Sequence, residues 1–147
     1  MLKSITTVAA AVSLGVVGVA VSPAAAATKT FSCSTGSTAY DDDGYLYAYY
    51  SASGTASWLV TGIDYRIYMG QGIRYGNHSD VYYTDNAFAP TKNFSTANGK
   101  SDGSLGTLTT TDYLRPRRTS NGVSFKFTFD ESLSPDPSCT GSGTFPS

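Results

Sequence analysis

Residues 123–129 alternate without a break. Val123, Phe125, Phe127 and Phe129 fall on one side, and Ser124, Lys126 and Thr128 on the other. A period of two predicts a half-buried β-strand. Each fully buried side chain of this size contributes about 1.5–3 kcal/mol before chain entropy is subtracted. This stripe is therefore the natural centre of a core.

The same period recurs upstream. Residues 28–34 place Phe31 and Cys33 on one face of a first strand. Residues 45–50 put Leu46, Ala48 and Tyr50 on one face and Tyr45, Tyr47 and Tyr49 on the other. This predicts a strand with one face in the core and a tyrosine row on the other. The longest candidate covers residues 56–69. Trp58 and Val60 share one parity, and Ile63, Tyr65, Ile67 and Met69 take the opposite one after Gly62, while Asp64 and Arg66 face away. A parity switch at a glycine predicts a β-bulge there. Shorter strands are expected at 73–75, 81–84 (with Tyr82 and Tyr83 on opposite faces), 105–111 and 139–145. Residues 85–104 and 112–122 read as loops, the first long and polar, the second carrying Arg115-Pro116-Arg117-Arg118. Pro135 and Pro137 exclude a helix or a central strand from residues 130–138.

No stretch after the first 27 residues has a helical period. Short strands between Gly, Ser, Asn and Asp turns predict an all-β antiparallel sandwich of about seven or eight strands, with a small β-barrel as the alternative. Cys33, Trp58 and Cys139 follow one another in an order similar to that of immunoglobulin domains. The two cysteines are farther apart in the chain than the usual strand pair of that family. The likeness therefore extends to an immunoglobulin-like architecture and not to membership.

The amino terminus follows a different pattern. Lys3 precedes an apolar run over residues 5–21, Ser22-Pro23 breaks it, and Ala24 to Ala27 follow. This is the layout of a secretory signal peptide, with cleavage after Ala27 as first choice and after Ala26 as second. Residues 28–147 then form one domain of ordinary size. The leader and composition resemble those of small exported bacterial proteins. Export makes pairing of Cys33 with Cys139 the default, joining the terminal strands. Closing a loop of that length stabilises by about 4–5 kcal/mol in the chain-entropy model.

Composition removes several function classes. Charged residues make up 14% of the chain and the formal net charge is −1, so nothing points to nucleic acid. Once the leader is cleaved, no membrane association is expected. No metal site or cofactor is expected. Two cysteines and the single His78 are too few soft ligands, and Asp41-Asp42-Asp43-Gly44 lacks the spacing of a calcium loop. A small extracellular hydrolase is a minor alternative, because no serine lies in a nucleophile elbow and Glu131 is the sole glutamate.

Eleven tyrosines are the most unusual feature. Tyrosine offers a flat apolar face with a hydroxyl at its edge, which suits sugar rings and protein partners. The leading expectation is a secreted, non-catalytic binding protein that recognises an extracellular glycan or cell-wall polysaccharide. Tyr45, Tyr47 and Tyr49 form the expected site, with Tyr82 or Tyr83 as a neighbour on the same sheet. A secreted or cell-surface protein is the other partner class. In that reading the protein is a secreted protease inhibitor, and Arg115, Arg117 and Arg118 form an exposed loop, binding anions or acting as bait for a trypsin-like or subtilisin-like protease. The sequence is silent on oligomeric state.

Overall fold

The computed structural model describes residues 25–36, 41–70, 79–117, 119–130 and 136–146. Among these there is no helix, and two antiparallel sheets pack face to face. Strands β1 (Ala27–Ser34), β2 (Asp43–Ser53), β3 (Ser57–Tyr68), β6 (Gly106–Thr109) and β7 (Tyr113–Pro116) form one sheet. Strands β4 (Ser79–Asp85), β5 (Lys92–Gly99), β8 (Val123–Thr128) and β9 (Ser138–Gly143) form the other. The order is β1-β2-β3-β6 in the first, with β7 also on β3, and β5-β4-β8-β9 in the second. The sandwich expected from the alternation is the observed fold.

The described residues form nine strands, where about seven or eight were expected, because both long polar segments contain strands. Among the described residues strand β5 is an edge strand bonded only to β4, and its one side is exposed while Lys92, Phe94 and Thr96 on the other are only half-buried. Backbone pairing holds it, so it carries little apolar period. Strand β7 does alternate, with Tyr113 and Arg115 inward and Leu114 and Pro116 outward. An arginine on the inward parity disguised it as a loop.

The parity switch in β3 is real. Tyr49 pairs with Gly62 and Tyr50 with Val60, which leaves Thr61 as the extra residue of a bulge. The shift lets Val60 and Ile63 both face the core, each fully buried. It also divides the outer edge of β3. Residues before the bulge pair with β7, and those after it pair with β6.

Val123, Phe125, Phe127 and Phe129 are all buried, as the alternation requires. Phe127 and Phe129 stack with centroids 6.2 Å apart, and Phe31 from the other sheet lies 6.0 Å from Phe125. Phe127 rests on Gly44, an inward position of β2 with no side chain, and a Cβ added there would collide with the ring. The Cys33–Cys139 disulfide, with Cα atoms 5.8 Å apart and a sequence separation of 106, ties β1 to β9 across the sheets. On the opposite side β5 lies against β6, and the Lys100 amide donates to the Tyr65 hydroxyl at 3.1 Å.

Strand β1 begins at Ala27, the residue after which leader cleavage is expected. The apolar run itself lies outside the described residues, as do His78 and residues 73–75. No helix of the described residues is long and apolar enough to cross a membrane.

The Phe127 seat gives a direct test. Gly44→Ala should destabilise by about 1–3 kcal/mol, the range for overpacking a closed core. Thr30→Ala, on the outer side of the same sheet, should change stability by less than about 0.5 kcal/mol. Urea unfolding of both variants measures the difference. Equal stabilities would show that Phe127 does not need the glycine.

Candidate functional site

The inward residues of β2 decide where its tyrosines point. Gly44, Leu46, Ala48 and Tyr50 are buried, so Tyr45, Tyr47 and Tyr49 must face out of the five-stranded sheet, and each is half-buried there. Register supplies their neighbours. Tyr45 lies between Ser32 and Arg66, Tyr47 between Thr30 and Asp64, and Tyr49 between Thr28 and Gly62. Successive tyrosines are two residues apart, or about 7 Å along the strand.

Polar groups brace this row. The Tyr49 hydroxyl donates to Asp64 Oδ2 at 3.0 Å, and Arg66 donates from a terminal nitrogen to the Tyr68 hydroxyl at 2.9 Å. Tyr68 is 43% exposed and meets Tyr45 edge-on at 5.8 Å. The Asp43 carboxylate is the largest influence raising the Tyr45 pKa. Burial, then the bond to Asp64, raises that of Tyr49. Both hydroxyls therefore stay protonated at neutral pH, and that of Tyr49 is already committed to Asp64. The face combines aromatic rings with an acidic acceptor, a guanidinium and a flanking line of small hydroxyls. That set of groups can stack on apolar ring faces and exchange hydrogen bonds with hydroxyls around their rims.

The other expected site residues go elsewhere. Tyr82 is exposed, but on the four-stranded sheet, across the sandwich from the row. Tyr83 is corrected outright: it is 1% exposed and belongs to the core. Opposite parity on one strand forces that split.

Arg115 is likewise not an exposed loop residue. It is 2% exposed, and its Nε donates to Asp85 Oδ2 at 2.8 Å. Another guanidinium nitrogen donates to the Asn121 carbonyl at 2.7 Å, and the group lies 4.7 Å from the centre of the Phe145 ring. Arg117 lies 3.8 Å from the centre of the Trp58 ring and donates from Nε to the Ser57 carbonyl at 3.0 Å. Two guanidiniums of the expected anion loop are thus engaged within the fold. Arg118 lies outside the described residues.

Asp85 also accepts from the Tyr113 hydroxyl at 3.3 Å, and Tyr113 and Tyr83 share a 3.2 Å bond. Its second oxygen takes the Ala87 amide at 3.0 Å. Removing one partner from such a buried pair typically costs about 3–5 kcal/mol. Asp42 has a local role, with Oδ1 accepting the Gly70 amide at 3.0 Å. Among the described residues no group of three or more His, Cys, Asp or Glu side chains comes together to hold a metal.

Sequence reading placed Asp64 and Arg66 on the outward face but missed that they flank the tyrosines. The missing information was register, since only strand pairing sets Tyr47 beside Asp64 and Tyr45 beside Arg66. The fold and this face together define an all-β sandwich with one aromatic outer surface. No family model, curated protein or solved structure matches the chain.

The buried tyrosines predict alkaline behaviour. Burial raises the pKa of both Tyr83 and Tyr113 well above the ordinary 10.0. The unfolded chain therefore releases these protons near pH 10, while the native state keeps them. Above that pH the unfolded state binds fewer protons, so stability should be full below pH 10 and fall as pH rises beyond it. Phenolate absorbance from Tyr83 and Tyr113 should appear in a step that coincides with loss of near-ultraviolet circular dichroism. One smooth transition in a still-folded protein would contradict the burial.

Proposed function

We propose that this protein is a secreted, non-catalytic β-sandwich that binds an extracellular glycan through the outer face of its five-stranded sheet. A cell-wall polysaccharide is the leading ligand. Residues 1–27 act as the leader, and 28–147 are the exported domain. The observation that carries the reading is the row of Tyr45, Tyr47 and Tyr49, braced by Asp64, Arg66 and Tyr68. Rings held at fixed spacing on a sheet lose little freedom on binding, which favours extended, repetitive ligands. A disulfide-bonded fold suits an oxidising compartment. The inhibitor alternative draws no support from Arg115 and Arg117, whose guanidiniums are engaged inside the fold.

The test is co-sedimentation of the oxidised domain with cellulose, chitin and peptidoglycan. Saturable binding to one of them is expected. Each tyrosine ring contributes about 0.5–1.5 kcal/mol. Alanine at Tyr45, Tyr47 and Tyr49 together should therefore weaken binding by more than about tenfold. Binding to none, or equal binding by the triple variant, would remove the proposal.

A further inference from the structure

The opposite face of the sandwich carries a groove unlike the tyrosine row. Register builds it. Tyr82, Lys126 and Thr140 stand side by side across β4, β8 and β9, and Thr84, Ser124 and Ser142 form the adjacent row. Long side chains in one row and short ones in the next leave a step, floored by backbone at Phe125 and Gly141, with a volume of about 590 Å³. A second hollow of about 300 Å³ shares Ser124 and Ser142 and continues toward Asn86, Ser120 and Thr144.

The chemistry of the walls is one-sided. Among the described residues no carboxylate lines either hollow, and Lys126 is the one charged group. Lys126 is exposed and forms no ion pair among the described residues. The nearest acid along β4, Asp80, sits one row away and accepts the Tyr82 hydroxyl at 3.4 Å. Thr84 donates to Asn93 at 2.8 Å, and Ser124 accepts from Asn86 at 3.4 Å, so the shorter row is held in place.

We propose that this groove is a ligand site for a polysaccharide segment bearing uronic acids. Hydroxyl and amide walls match a chain rich in hydroxyls. The exposed Tyr82 ring offers a stacking face to a pyranose, which an open-chain polyol phosphate lacks. The Lys126 ammonium, with the Asp80 carboxylate one row away and engaged by the Tyr82 hydroxyl, matches one monovalent acid group on the segment. A nucleic acid would demand many more cations than this face holds. The site lies across the sandwich from Tyr45, Tyr47 and Tyr49, so either site can fail while the other stands.

The test is isothermal titration of the oxidised domain with oligogalacturonate, with its carboxyl-reduced counterpart and with a polyol phosphate. Oligogalacturonate should bind, and added salt should weaken it. Lys126→Gln should weaken binding by about fivefold, the effect of one exposed charge pair. Tyr82→Ala should weaken it by about tenfold. The carboxyl-reduced oligomer should bind the wild type no better than oligogalacturonate binds Lys126→Gln. The triple tyrosine variant should bind oligogalacturonate as the wild type does. Both groove residues are exposed, and thermal melting confirms that each variant is folded. Four results would overturn the proposal: no binding by the wild type, unchanged binding by Lys126→Gln and Tyr82→Ala, equal binding of the polyol phosphate, or loss only in the triple variant. The last would move the acidic ligand to the tyrosine face.

Discussion

The seat of Phe127 on Gly44 fixes the parity of β2, and much of the molecule follows from that parity. A strand has two faces only, so a slip of one residue would exchange them completely. With Phe127 filling the space above Gly44, the inward set becomes Gly44, Leu46, Ala48 and Tyr50. The outward set is then Tyr45, Tyr47 and Tyr49 by necessity. Ring-on-glycine packing recurs where Phe125 covers Gly141 and Tyr65 covers Gly106. A core this rich in aromatic rings needs positions without side chains to close at normal density.

A second constraint lies at the other end of the sandwich. Asp85 and Arg115 enter the interior from different sheets, each on the inward parity of its strand. Neither charge is tolerable there alone, and each is satisfied by the other together with backbone and hydroxyl groups. The pair links β4 to β7 where Tyr83 and Tyr113 also meet. It takes Arg115 off the surface, one of the groups that an anion-binding or bait loop would have presented.

The fold was legible where burial is apolar. The β8 stripe and the bulge beside Gly62 follow from spacing alone, and the terminal disulfide from the presence of two cysteines in a chain read as exported. Legibility failed where a polar residue occupies an inward position or where backbone bonds do the holding. Arg115 hid β7, because an arginine counts against a core strand until its partner is known. Strand β5 was hidden because Phe94 is the one large apolar residue on its half-buried side, which is too few to show a period. The candidate site was legible along β2 and not across it. Tyr82 and Tyr83 were visible as opposites, but which sheet they join depends on the pairing of β4 with β8.

The two outer faces thus differ in kind. One is an aromatic row with balanced charge, and the other is a hydroxyl-lined step with one ammonium. The central claim is that core packing turns Tyr45, Tyr47 and Tyr49 outward as a ligand face. Tyrosine nitration mapped by peptide mass spectrometry, in the free protein and with bound polysaccharide, tests it most directly. The account predicts that these three react in the free protein and are protected when polysaccharide is bound, while Tyr83 and Tyr113 stay unmodified throughout. Ready nitration of Tyr83 in the folded protein, or equal reactivity of the row with and without bound polysaccharide, would contradict it.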